Sequence, residues 1–479
     1  MNKYIGAMTA IALAFSTAST SIASDFQSEF EAYVKSQQEG FETYSNQHKE
    51  FIKQLKKEWQ AYKSMPVLVR DKTPKLPSAP VIDGTPVLPI APDVPYIPPS
   101  TEPDPIVQVP GPDLSELPFE DPDLVDPIID EPKTPIVDNQ VRFEFYGQTI
   151  SLDKVTLVSL ENNSQSGLKS YWQQNAQTNY QDIVLELNAY KKELALSDWA
   201  FWLLVKRYVA EQVNNDNEQI ALSWFLLNNL GFGARVALGS DSLVLMVPTK
   251  QKLYGVSRFK IDGDAFYQIA GKANKEVRTY DGDFDQGSQA FDMRFNKTLK
   301  TGQDIQYRTF ETQLDGMSLN LQLPYDLERV KFFKTYPQID LRYYFEAPVG
   351  EVASKGLSQQ MNTFLKGNDE AQLTQLLHLI HQAFPYAIDQ QQFGAENYLL
   401  VEESLHYKAS DCEDRSILFA WLAKHLLRQQ VVALNYPGHV STAIFKDNKL
   451  IPADPTYIGA DLGDIMPDYQ GVKPKIIQF

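Results

Sequence analysis

The chain has 479 residues, a net charge of −17, one cysteine and an apolar content of 43%. That apolar content excludes a wholly disordered chain, and the acidic balance excludes a nucleic-acid binder, which needs a basic face for phosphates. Between Met65 and Gln140 lie 19 of the 29 prolines, with 14 Asp/Glu against 4 Lys/Arg; −10 of the −17 is therefore local, and the remainder of the chain is only mildly acidic.

Lys3 supplies a short positive start, Tyr4 to Phe15 an apolar run too short to span a bilayer, and Ile22-Ala23-Ser24 a small-residue end. Residues 1–24 read as a cleavable secretory signal, so the mature protein is expected outside the cytoplasm, periplasmic or secreted, with no membrane span. Residues 25–64 carry apolar side chains at 26, 30, 33, 41, 44, 51, 55, 59 and 62, the spacing of an amphipathic helix. Gln37 and His48 interrupt its stripe, which favours docking on the body over a coiled coil. Residues 65–140 are expected to be an acidic, proline-rich, extended and mobile linker.

The packed part divides into 141–345, an α+β region of unassigned role, and 346–479. Phe143 to Ser151 reads as a hairpin turning at Gly147, followed by helical patterns over 183–194, 198–212 and 218–230. Gly231 and Gly233 stop the last helix, and 234–238 and 242–247 alternate as strands. Residues 290–345 read as strand-rich, and helices resume over 354–365 and 370–384. Helix and antiparallel strand in separate runs give an α+β fold class. The order at Asn217 to Gly231, a helix and then strands, repeats at Cys412 to Leu434, which suggests a degenerate internal copy with Asn217 in place of the cysteine.

Cys412 stands in the first turn of a helix whose apolar residues Ile417, Leu418, Trp421, Leu422 and Leu426 share one face, with Ser410 and Glu413 at capping-box spacing. The helix N-terminus favours a thiolate, whereas Asp411, Glu413 and Asp414 oppose it, so a basic partner has to outweigh them. His439 is that candidate, at the start of a strand after Pro437-Gly438. If Asp447-Asn448 is a two-residue hairpin loop, facing residues sum to 895, and Asp454 falls opposite Ser441, diagonal to His439. A thiol at a helix start, a histidine at a strand start and a carboxylate one hairpin later suit nucleophilic catalysis by Cys412, His439 and Asp454.

At these residues the chain resembles the transglutaminase-like superfamily, of papain-type fold, and within it the bacterial exported branch with a Cys-Glu-Asp motif. The resemblance covers about 384–467, with Val440 where an aromatic residue usually follows the histidine and no glycine in the connection 428–430. It implies acyl transfer: Cys412 attacks an amide of a protein or of cell-wall peptide, His439 moves the proton, and Asp454 orients the imidazole. The backbone N–H of Cys412 would serve as one oxyanion donor and His406 as the candidate for another. No cofactor and no metal is expected. The alternative is a non-catalytic binding or assembly module of the cell envelope that keeps the fold, with a protein partner met through the N-terminal helix or the linker. Two metal patterns are weak. Asp281 to Asp292 resembles a calcium loop but has Gln286 where the turn needs glycine, and His378 with His381 lacks a third ligand.

Overall fold

A computed structural model describes residues 20–77, 139–239, 242–273, 275–280, 287–314 and 316–479, with side chains from residue 28 onward. The expected linker from 78 to 138 and most of the expected signal lie outside the described residues. Helix α1 (Thr20–Ser64) has 45 residues and is rich in Glu, Gln and Lys, which lose little rotamer freedom in a helix. Its aromatic stripe faces solvent over most of its length: Phe30, Tyr33, Phe41, Tyr44 and Phe51 are each more than half exposed. The docking expected along this helix is therefore confined to its root, where Tyr62 meets Arg278 and Met65 is buried.

Residues 65–77, counted with the expected linker, are packed on the body. Strand β1 (Val67–Val69) carries no proline and takes an edge position, where few ladder hydrogen bonds are required. Asp71 pairs with Arg258 at 2.8 Å, and the Pro74 carbonyl accepts from Gly255, so residues 65–77 belong to the body.

The hairpin β2 (Gln140–Phe145) and β3 (Gln148–Asp153) turns through Tyr146 and Gly147, both at positive φ, as the sequence predicts. Four helices follow: α2 (Gln165–Asn175), α3 (Tyr180–Glu193), α4 (Asp198–Ala210) and α5 (Asp216–Asn229). They precede a sheet of β4 (Arg235–Leu238), β5 (Leu243–Pro248), β6 (Arg258–Ile261), β7 (Asp264–Gly271) and β8 (Glu276–Thr279), in the order β1-β8-β4-β5-β7-β6. Leu243, Leu245 and Val247 of β5 join the main core, while Val244 and Met246 join a second, smaller core on the other face.

Strands β9 (Ile305–Leu314) and β10 (Met317–Asp326) form a long two-stranded ribbon. The stretch read as strand-rich then turns helical, with α6 (Leu327–Phe333) and α7 (Arg342–Phe345), because Asp326 caps α6 by accepting from the Glu328 N–H. Helix α8 (Glu351–Phe364) lies on the ribbon through Gly356, where a Cβ would meet Pro324 at 2.3 Å. Helices α9 (Asp369–Ala383), α10 (Asp389–Gln392), α11 (Val401–His406) and α12 (Cys412–Leu426) lead into β11 (Val431–Tyr436), β12 (His439–Lys446), β13 (Lys449–Ala453) and β14 (Lys475–Ile477). Their order is β13-β12-β11-β14. All named strand pairs are antiparallel, which makes the fold α+β.

The two sheets share a plan. The order β8-β4-β5-β7 after α5 matches β14-β11-β12-β13 after α12, with β6 inserted in the first. In each, a side chain at the helix start meets the backbone of the second strand. Asn217 Oδ1 accepts from the Leu243 N–H at 2.8 Å, and the Cys412 thiol lies against the Val440 backbone.

Candidate active site

Helix α12 starts one residue later than the Ser410/Glu413 cap predicts. Ser410 is drawn into an extended bridge with Tyr386, so Asp411 becomes the N-cap and its N–H donates to Asp414 Oδ2 at 3.3 Å. Cys412 is then the first helical residue. Glu413, released from capping, turns to the thiol, whose Sγ donates to Oε2 at 2.9 Å.

The hairpin carries the histidine and the carboxylate as expected. Asp447 and Asn448 both lie at positive φ, the geometry of a two-residue turn, and Thr442 faces Ala453. Asp454 therefore follows on the His439 side. His439 Nε2 donates to Asp454 Oδ2 at 2.8 Å, while Asp454 Oδ1 accepts from the N–H groups of Thr456 and Tyr457. Three hydrogen bonds thus hold the carboxylate and select the imidazole tautomer with its lone pair on Nδ1. That Nδ1 is buried and has no hydrogen-bond partner among the described residues. The connection without a glycine turns instead through Arg428 at φ 55°.

The site is shut. Cys412, His439 and Asp454 are 1%, 1% and 4% exposed, and Tyr469, from the short helical turn Pro467–Tyr469, stacks on the imidazole at 5.0 Å. Burial first, then the charges of Glu413 and Asp411, push the Cys412 thiol well above its ordinary value, and the Val440 N–H only partly offsets them. The contest between helix dipole and acidic neighbours goes to the neighbours.

The surroundings contain groups that sequence spacing did not join. Asp389, Glu396, Asp411 and Glu413 each place a carboxylate oxygen within 4.8 Å of the others. Asp389 Oδ1 is buried without a hydrogen-bond partner among the described residues. Hard oxygen donors in that arrangement fit Ca²⁺ or Mg²⁺, which would screen the carboxylates and ease ionisation of the thiol. Arg415, also buried, stacks over Tyr386 at 5.2 Å and donates to the Phe384 carbonyl. Burial holds its guanidinium down to about 10.

His406 is placed differently from expectation. Its Nδ1 meets the Tyr325 hydroxyl at 3.2 Å, and among the described residues no contact joins it to Cys412. The Tyr386 hydroxyl is better placed as an oxyanion donor. It is buried, has no hydrogen-bond partner among the described residues, and lies within electrostatic reach of Cys412. Only the bridge to Ser410 brings it there, so no spacing rule could have found it.

The histidine pair makes other contacts, and the first half of the calcium-loop pattern lies outside the described residues. His378 binds Asp461, and His381 donates to the Asp454 carbonyl, with ring centres 6.4 Å apart. Residues 281–286 lie outside the described residues, and Asp292 is held by Arg294, which depresses its carboxyl to about 2.

Burial lifts the carboxyls of Asp389 and Glu403 to about 8. An unfolded chain releases such protons near pH 4, so the native state holds more protons from there to about pH 8. Stability conferred at low pH is lost across that window. The melting temperature should fall as pH rises from 5 to 8, and Asp389→Asn should flatten the fall; a curve that rises over this range contradicts the burial argument.

Comparison with protein-family models, with curated proteins and with solved structures returns no match to this chain.

Proposed function

We propose that this chain is an exported cysteine-dependent acyl-transfer enzyme that hydrolyses amide bonds in protein or cell-wall peptide. The observation that carries the reading is the His439 ring, fixed to Asp454 through Nε2 and left with a buried Nδ1 that has no partner among the described residues, next to the strand residue whose backbone meets Cys412. A buried nitrogen without a partner costs stability, and such a cost is commonly found at working sites.

The thiol is held protonated at rest, so His439 Nδ1 acts as a general base during attack and not as half of a preformed ion pair. Sγ adds to the amide carbon as its proton moves to Nδ1. The Cys412 N–H and the Tyr386 hydroxyl hold the oxyanion. The imidazolium then gives its proton to the departing amine, leaving a thioester, and water deprotonated by the same imidazole releases the acid. Tyr469 has to swing away before any carbonyl reaches the sulfur. The first sheet, with Asn217 and Ser242 at the positions of the thiol and the imidazole, is read as a degenerate copy without this chemistry.

The closed site and the raised thiol pKa favour a second reading, a catalytically silent binding module. Alkylation of Cys412 by iodoacetamide separates the two. On the enzyme reading, native protein labels with an apparent pKa above the ~8.5 of a free thiol, and Glu413→Gln lowers that value while amide cleavage is equal or faster. Labelling that requires global unfolding, in the wild type and in Glu413→Gln alike, would support the silent module.

A further inference from the structure

We propose that α1 is the dimerisation element of this protein and pairs antiparallel with α1 of a second copy. Eight large apolar side chains on it, Phe30, Tyr33, Phe41, Tyr44, Phe51, Leu55, Trp59 and Tyr62, are between 37% and 70% exposed. An aromatic side chain buries roughly 150–250 Å² when fully covered, so covering the exposed half of each gives about 800 Å² per copy. That is the per-partner area of a stable interface of standard size.

Charge identifies the occupant and its direction. Residues 28–44 contain Glu29, Glu31, Glu39 and Glu42 against Lys35, a balance of −3, whereas 45–64 contain Lys49, Lys53, Lys56, Lys57 and Lys63 against Glu50 and Glu58, a balance of +3. A parallel pair would set like halves side by side. An antiparallel pair sets each acidic half against a basic one, and the helix is its own electrostatic complement. With balancing halves and no basic face, it offers little to an anionic membrane surface. The antiparallel arrangement also brings the partner's first turns to the root of the helix. There Leu55, Trp59, Tyr62, Met65 and Leu238 line an apolar groove of about 770 Å³, open to receive the partner's Phe30. The polar interruptions at Gln37 and His48 then fix register, as single polar residues do in helical pairs.

Sedimentation of the mature chain at tens of micromolar should give a dimer, and the pair Phe41→Ser, Phe51→Ser should give a monomer with an unchanged melting temperature for the body. Direction is read from cross-linking in a Cys412→Ser background. Mixed Gln37→Cys and His48→Cys chains, both on the stripe, should form the unlike disulfide, and neither alone should form a like one. A monomeric wild-type chain, as expected if residues 78–138 or another protein cover the stripe, would overturn the proposal, and so would like disulfides.

Discussion

Cys412→Ala should abolish amide cleavage, because no other side chain at the site can form the thioester. His439→Ala should do nearly as much. Burial, Glu413 and Asp411 all hold the thiol protonated, and His439 Nδ1 is the general base that the proposed mechanism requires. Asp454→Asn should be milder, with a loss of roughly 10²–10⁴-fold. The amide oxygen can still accept from Nε2–H, but the charge that stabilises the imidazolium is gone. The three losses should not add, since the residues act as one unit. Turnover on a defined peptide amide checks the series. Full activity in the Cys412 variant would place the chemistry elsewhere.

Arg329→Ala should destabilise the fold by about 3–5 kcal/mol, the range for breaking a buried ion pair by removing one partner. Arg329 Nε and Nη2 reach Glu402 at 2.7 and 3.1 Å, with both residues at most 4% exposed, and Nη1 donates to the Leu299 carbonyl. Glu402 also accepts from the Gly350 N–H, so the pair joins α6, α11 and the start of α8 at one buried point. Truncating the arginine leaves a carboxylate that neither water nor another cation reaches. Arg329→Met with Glu402→Leu removes both charges at similar volume and should recover most of the loss. Urea denaturation of the three variants measures this, and a single variant within about 1 kcal/mol of wild type would contradict the assignment.

The parts of the site legible in the sequence are those fixed by local geometry. Asp447-Asn448 dictates a tight turn, the turn dictates register, and register sets Asp454 beside His439. What was hidden depends on contacts between distant segments. Tyr386 draws Ser410 out of the helix, which moves the cap to Asp411, frees Glu413 to meet the thiol and brings a hydroxyl into the pocket. Asp389 and Glu396 join the acidic group through the same fold, with no spacing signal to announce them. At the other end of the chain, prolines at 66, 74 and 77 read as linker, but the proline-free Val67–Val69 finds an open edge on β8. The apolar stripe of α1 marked a helix correctly, whereas periodicity alone could not say whether the body would cover it.

Acyl transfer through Cys412 requires that a substrate acyl group become attached to its sulfur. Wild-type protein mixed with a cell-envelope extract, quenched in acid and digested, should show added mass on the peptide containing Cys412. Hydroxylamine should release that mass as expected of a thioester, and the Cys412→Ala chain should lack it. Amide cleavage that proceeds with Cys412 unmodified, or an adduct found on another residue, would contradict the account.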